Sequence, residues 1–229
     1  MKPATALFRR LAIATAVLST PAIVLASTGS YGYVGTVEGS ATLVSRGTTR
    51  NEPAGDRGQL VEINQPILTG DHLLVGQRGR VDIGLADRNL LRADAGTDLL
   101  FEQLAASGDS AAASTLLRLN NGEIQLVVVD DSQGEEFPRI DTPNATVYTQ
   151  SYGTFRVTAE APDWTTVVVR EGTAEVVTQR GSWTVRAGEE LRVEGADRPQ
   201  ASLVDASGWS ALERWSQRLD AQVAATDSR

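Results

Sequence analysis

A glycine, usually followed by Thr or Glu and then by an alternating apolar run, recurs along this chain. That unit restricts the fold more than any other feature. It stands as Gly96-Thr97-Asp98-Leu99, Gly122-Glu123-Ile124-Gln125-Leu126 and Gly153-Thr154-Phe155-Arg156-Val157. It returns as Gly172-Thr173-Ala174-Glu175-Val176 and Gly188-Glu189-Glu190-Leu191-Arg192-Val193, with Gly79-Arg80-Val81-Asp82-Ile83 as a looser copy. Glycine accepts the positive φ of a tight turn, and period-two alternation is the pattern of a strand buried on one face. The copies lie 16 to 31 residues apart, which reads as strands stacked and turned on one another. Such an architecture presents a surface, and no comparable pattern in the chain belongs to chemistry.

The N-terminus indicates export. Lys2, Arg9 and Arg10 precede an uncharged, largely apolar stretch from Leu11 to Leu25, and Val24-Leu25-Ala26 supplies slim residues at its end. This predicts a secretory signal peptide over residues 1–26, cleaved after Ala26. The stretch is shorter than the roughly 20 residues a spanning helix needs, and Pro21 interrupts it, so no transmembrane span is expected in the mature chain. Retention as an anchor is the alternative. The chain has no cysteine, which excludes lipid attachment through Cys and any disulfide framework. Cleavage would leave 203 of the 229 residues, enough to bury roughly 70% of the surface of the unfolded chain. Net charge would move from −8 to −11, a balance that disfavours nucleic acid and anionic lipid as partners.

Residues 27–33 form a Gly/Ser/Tyr lead-in, and strand character begins at Val34. Polar stretches at 45–58 and 107–114 and the acidic 130–136 stretch read as loops. Asn120-Asn121-Gly122 reads as a hairpin turn between two strands. The continuous apolar runs Leu126 to Val129 and Val167 to Val169 suggest strands covered on both faces. In the last strands Trp183, Val185, Leu191 and Val193 are expected to face inward. Residues 196–229 read as a linker and an amphipathic helix, with Ser207 or Ser210 as its cap. Trp209, Leu212, Trp215, Leu219 and Val223 recur at helical steps, and Glu213, Arg214, Gln217 and Arg218 take the other face. The helix is expected to dock on its own domain, as a cap over the open end of the stack.

The order of these pieces resembles the FecR-like domain of bacterial envelope proteins. Asp141-Thr142-Pro143-Asn144-Ala145, leading to Gly153-Thr154-Phe155-Arg156-Val157, is similar to that family's Thr-Pro-x-Ala and Gly-Thr-x-Phe-x-Val segments. Glu171-Gly172 with Val176, and Arg186-Ala187-Gly188-Glu189, resemble its closing strands, while Gly70-Asp71-x-Leu73 and the strand ending at Asp87 resemble its opening half. The resemblance spans residues 34–195. Two departures sit beside turns: Tyr152 stands where the family usually has Arg, and Asp87-Arg88-Asn89 where it often has Asp-Gly-Ser. The resemblance implies an elongated, all-β, solenoid-like or sandwich-like stack of short strands without catalytic residues. Family members at the inner membrane relay signals from outer-membrane transporters to a cytoplasmic sigma factor through an N-terminal cytoplasmic domain. About ten residues precede the apolar stretch here, so the chain is expected to be an exported, stand-alone member. The Trp209-to-Asp220 helix resembles a segment that follows the domain in some of those.

Candidate chemistry is sparse. His72 is the sole histidine, which leaves a transition-metal site or a Ser-His-Asp triad without its usual partners. Asp130-Asp131, Glu135-Glu136 and Glu189-Glu190 are adjacent pairs that read as solvated surface, although a glycosidase needs two carboxylates. The 130–136 loop could hold Ca²⁺ but lacks the EF-hand spacing. Asn144-Ala145-Thr146 is a sequon by coincidence in such a chain. No catalytic, cofactor or metal residue is assigned. Trp209 and Trp215 are the candidate partner-binding residues, weighed against docking on the sheet. The leading expectation is a non-enzymatic periplasmic or secreted module of envelope signalling or assembly that acts by protein–protein contact. A glycan or peptidoglycan binder is the alternative, and a hydrolase a distant third.

Overall fold

Each recurring glycine stands where the chain leaves one β-sheet for another. The computed structural model describes residues 31–45, 58–105, 114–129 and 137–227. The leader and the acidic 130–136 loop lie outside them. The chain opens with β1 (Tyr31–Glu38), β2 (Ala41–Val44), β3 (Gly58–Leu60), β4 (Pro66–Leu68), β5 (His72–Val75) and β6 (Arg80–Leu85). Then come β7 (Leu90–Ala93), β8 (Asp98–Gln103), β9 (Leu116–Val128), β10 (Arg139–Asp141), β11 (Thr146–Thr149) and β12 (Gly153–Glu160). The series ends with β13 (Trp164–Glu171), β14 (Thr173–Thr178), β15 (Gly181–Arg186), β16 (Glu189–Glu194), β17 (Gln200–Asp205) and the helix α1 (Ala211–Asp227).

The first sheet runs β4-β1-β6-β7-β9-β12-β13-β16-β17. The second runs β3-β2-β5-β8-β9-β10-β11-β14-β15. Among the described residues every pairing is antiparallel except β9 with β10. Strand β9 is central to both sheets: Leu116 to Asn121 pairs with β8, and Gly122 to Val128 pairs with β12. The sequence reading of Asn120-Asn121-Gly122 as a hairpin is therefore corrected. The two halves find partners in different sheets, so the chain turns a corner without folding back.

The corner has a steric cause. Gly122 has φ +98°, and a Cβ there would stand 2.5 Å from the Thr97 Cα. Inward-facing positions shift phase across it, from Leu117 and Leu119 to Ile124 and Leu126, all fully buried. A one-residue slip is what inverts a strand's faces. The same logic holds at Gly153, where a Cβ would meet the Glu171 carbonyl oxygen at 2.0 Å. Five of the six unit glycines have positive φ, and Gly79, in the looser copy, does not.

Side chains from both sheets enter one hydrophobic core. Ile83, Leu91, Phe155, Val157 and Val167 come from the first sheet, and Leu43, Leu73, Phe101, Val147 and Val176 from the second. Val185, Leu191 and Val193 are buried and Trp183 packs partly against them. The Thr142–Ala145 turn ties the two sheets together. Asn144 donates from Nδ2 to the Asp163 and Gly195 carbonyls at 2.8 and 3.2 Å, and its Oδ1 accepts from Thr165. The sequon Asn144 is thus a buried structural pin.

Two details differ from the sequence expectation. Part of the segment expected to be linker forms β17, on the edge of the first sheet. The helix does not cap that edge. It lies on the outer face of the first sheet, held by Arg92 of β7, Glu123 of β9 and Arg170 of β13.

Candidate functional site

One cross-strand row on the outer face of the first sheet is built mainly from polar side chains. Register places Asp82 beside Arg92, Arg92 beside Gln125, and Gln125 beside Arg156. The row continues through Val168 and Glu190 to Val204. On a free sheet face these residues would be solvated, yet Arg92, Gln125, Arg156, Val168 and Glu190 are all buried. Helix α1 and the segment leading into it supply the cover. This also explains the unbroken Val167 to Val169 run: Val168 faces outward into the helix contact.

The helix starts with a reciprocal cap. The Ser210 hydroxyl accepts from the Glu213 N–H at 3.2 Å, and the Glu213 carboxylate accepts from the Ser210 N–H at 2.7 Å. This is the S-x-x-E capping box. Ser210 also donates to the Glu123 carboxylate at 2.5 Å. Arg170 then grips both Glu213 oxygens, and its remaining N–H groups donate to the Ser207 and Gly208 carbonyls at 2.8 and 3.0 Å. Arg156 lies centrally, 3.7 Å from Glu213, 3.8 Å from Glu123 and 3.9 Å from Glu190, and donates to the Ser207 hydroxyl. Further along the helix, Arg92 binds Ser216 and takes Asp220 at 2.5 Å while holding Asp82 at 2.8 Å.

These contacts set the protonation states. Burial pushes the Glu213 carboxyl up, but the Arg170 hydrogen bonds, the Ser210 N–H and the Arg156 and Arg170 charges outweigh it. Its pKa falls below the usual carboxylate range. At Glu190, burial is likewise outweighed by the Ser207 hydroxyl and N–H and by Arg192. Burial pulls Arg92 down, and the Asp220 and Asp82 contacts more than reverse this. Carboxylates held ionised by fixed cations are suited to structure and poor as general acids. Three buried atoms of this face, Gln125 Oε1, Arg156 Nε and Trp215 Nε1, have no hydrogen-bond partner. Each such group costs about 1–3 kcal/mol, so the helix contact is worth less than its list of ion pairs suggests.

The two candidate tryptophans part company here. Trp215 is 2% exposed, buried with Leu212. Trp209 is 47% exposed, with the Arg170 guanidinium 4.8 Å from its ring centroid. Arg170 also binds the carbonyls of the two preceding residues, so the ring is presented on a fixed segment. Leu219 is half-buried and Val223 exposed. The docked face, with Leu212, Glu213, Trp215 and Ser216, is rotated from the apolar stripe, with Arg170 holding Glu213 inside and Arg92 holding Ser216 and the exposed Asp220 at its edge.

The remaining candidates are scattered. His72 is half-exposed and its Nε2 lies 2.6 Å from Asp98, which also accepts from Asn120. Glu189 and Glu190 diverge: Glu190 is buried in the row, while Glu189 accepts from the Arg186 N–H. The other acidic pairs and the proposed Ca²⁺ loop lie outside the described residues. Among the described residues no group of three or more His, Cys, Asp and Glu is placed to hold a metal. No described helix is long and apolar enough to cross a membrane.

Residues 71–175 match the model of the family described as FecR protein. This region holds β5 to β13 and part of β14, and with them the arginines of the polar row; β17 and α1 lie beyond it. Crystal structures at 2.50 and 1.65 Å resolution of a candidate anti-sigma factor from Parabacteroides distasonis ATCC 8503 align with the chain. Their identities are 20% and 19%, each with a TM-score of 0.49 and 59% of this chain covered. The chain spans 60% of the length of those solved chains. Curated proteins give no match.

Proposed function

We propose, with residues 71–175 carrying a FecR domain as the premise, that this chain is an exported, non-enzymatic binding module of cell-envelope signalling. It acts by protein–protein contact, and Trp209 anchors the partner. The observation that carries this reading is the exposed Trp209 ring, held at 4.8 Å by Arg170. A rigid aromatic with one free face is the typical centre of an interface, and tryptophan and arginine dominate such hot spots. The charged leader, with its apolar stretch and the slim residues that end at Ala26, supports export. The arginine-bound state of Glu190 and Glu213 supports a scaffold role for these acids.

A photo-crosslinking residue placed at position 209, and separately at the exposed Leu60, tests this in cells. One discrete envelope-protein adduct from position 209, absent from position 60, is expected. Identical adduct patterns from the two positions would contradict the assignment of Trp209.

A further inference from the structure

Strand β17 is the open end of the first sheet. Among the described residues it pairs with β16 alone, Glu189 opposite Asp205 through Glu194 opposite Gln200. The hydrogen bond from the Ala206 N–H to the Gly188 carbonyl fixes the phase of this antiparallel ladder. The N–H and C=O groups of Ala201, Leu203 and Asp205 therefore point away from β16, toward the free edge. Leu203 lies in line with the fully buried Leu191 yet is itself 45% exposed, and Val204 on the opposite face is 37% exposed. The core layer simply ends at Leu203.

The other sheet ends are managed differently. Strands β3 and β4 have three residues each. Strand β15 ends on Arg186, its Val185 is fully buried and its Trp183 packs partly buried against the core. By contrast β17 is six residues long, its ladder with β16 has no bulge, and it carries no charge before Asp205. It lacks the devices that normally blunt an edge.

We propose that β17 pairs antiparallel with β17 of a second copy of this chain, in the register centred on Ser202. The pleat allows only registers in which opposed residues share a face, and two of these centre the six-residue strand well. The register centred on Leu203 would set Ala201 against Asp205 in the core layer. The one centred on Ser202 sets Ala201 of each copy against Leu203 of the other. These are the residues whose backbone groups face the free edge, so two hydrogen-bonded pairs form and each Leu203 gains an apolar neighbour in the core layer. On the outer face Gln200 meets Val204, and Ser202 meets Ser202. Each Asp205 falls opposite Pro199, beside Arg198, so no acid opposes an acid although the chain is strongly acidic. The contact is isologous and closes as a dimer, because it consumes the one edge it uses. It stands independently of the role assigned to Trp209.

The chain has no cysteine, which makes the register directly readable. Opposed Cα atoms at a non-hydrogen-bonded antiparallel site lie about 4.5 Å apart, within the roughly 4.4–6.8 Å a disulfide spans. Purified Ser202→Cys protein should convert under mild oxidation to a covalent dimer, while Thr184→Cys, on the exposed face of β15, should form no covalent dimer. Unmodified protein should sediment as a dimer. Ala201→Pro removes an N–H that β16 does not use, and should sediment as a monomer with the thermal midpoint that the unmodified protein shows when diluted to a monomer. Unmodified protein that remains monomeric across a concentration series overturns the pairing. So does Ser202→Cys crosslinking no faster than Thr184→Cys. A disulfide from position 202 to a different envelope protein in cells, with no homodimer, also overturns it and assigns the edge to another protein's strand.

Discussion

Arg170 on β13 holds both carboxylate oxygens of Glu213 on α1, at 2.7 and 3.0 Å, across 43 residues of sequence. Glu213 has no exposed surface, and the same carboxylate caps the first turn of its own helix. One side chain thereby fixes where the helix begins and which sheet face it covers. A buried pair of this kind contributes little over a well-packed apolar pair, but removing one partner strands the other charge.

Glu213→Ala should therefore cost about 3–5 kcal/mol, since it leaves the largely covered Arg170 without a carboxylate partner and also removes the capping contact. Glu213→Gln keeps an acceptor for the Ser210 N–H and should cost less. Denaturant unfolding of the two variants beside the unmodified protein measures both. Equal costs would mean that the retained acceptor contributes nothing and that the loss is that of the charge.

Acid should loosen the same contact. The Glu213 and Glu190 carboxyls are depressed in the folded chain, so the folded state binds fewer protons than the unfolded state through this range. Their stabilisation is complete above the ordinary glutamate value of about 4.3 and is lost as pH falls below it through the depressed values. Urea midpoints measured from neutral to acidic pH should fall in that window. The fall should be shallower in a Glu190→Gln, Glu213→Gln double variant, and a fall of the same size would place the acid sensitivity elsewhere.

Much of the strand stack was legible in the sequence, because glycine at a corner and alternation in a strand are local signals. Phe155, Val157, Leu191 and Val193 follow from alternation alone. The corner at Gly122 is not legible locally, since Asn-Asn-Gly has the same chemistry in a hairpin as in a strand that changes sheets; only the partners distinguish them. Strand β17 is faint in the sequence because Gln200-Ala201-Ser202-Leu203 carries a weak apolar pattern. Helical periodicity places Glu213 on the solvent face. The Ser210-x-x-Glu213 spacing could have located it at the cap, but its burial depends on Arg156 and Arg170, which come from distant strands. Trp209 and Trp215 are alike as sequence, and only docking separates the buried ring from the exposed one.

The turn at Asp87-Arg88-Asn89 offers a stabilising change. Arg88 has φ +66°, a conformation that costs a side-chain-bearing residue roughly 1–2 kcal/mol. The turn is held by Asp87, which accepts from the Asn89 N–H and the Thr115 hydroxyl. Arg88→Gly should raise stability by about 0.5–1 kcal/mol, the relief being partly offset by glycine's greater freedom when unfolded. A lower thermal midpoint would show that the arginine side chain stabilises the turn.

The corner and the core it shapes can be tested at adjacent positions. Phe155 is fully buried, and Phe155→Ala should cost about 3–5 kcal/mol. Gly153→Val forces a branched side chain against the Glu171 carbonyl at a positive φ, and should abolish soluble expression or cooperative unfolding. An unchanged denaturation midpoint for either variant would contradict the inward assignment of Phe155 or the corner role of Gly153.

The most direct measurement is the affinity of the partner crosslinked at position 209 for three forms of the protein: unmodified, Trp209→Ala and Trp209→Phe. Thermal midpoints are taken in parallel. Trp209→Ala is expected to weaken binding at least about 30-fold, the effect of losing roughly 2 kcal/mol at a hot spot, with its midpoint little changed. Trp209→Phe should recover part of the affinity. Unchanged affinity for Trp209→Ala would contradict the central claim that the exposed ring anchors a protein partner.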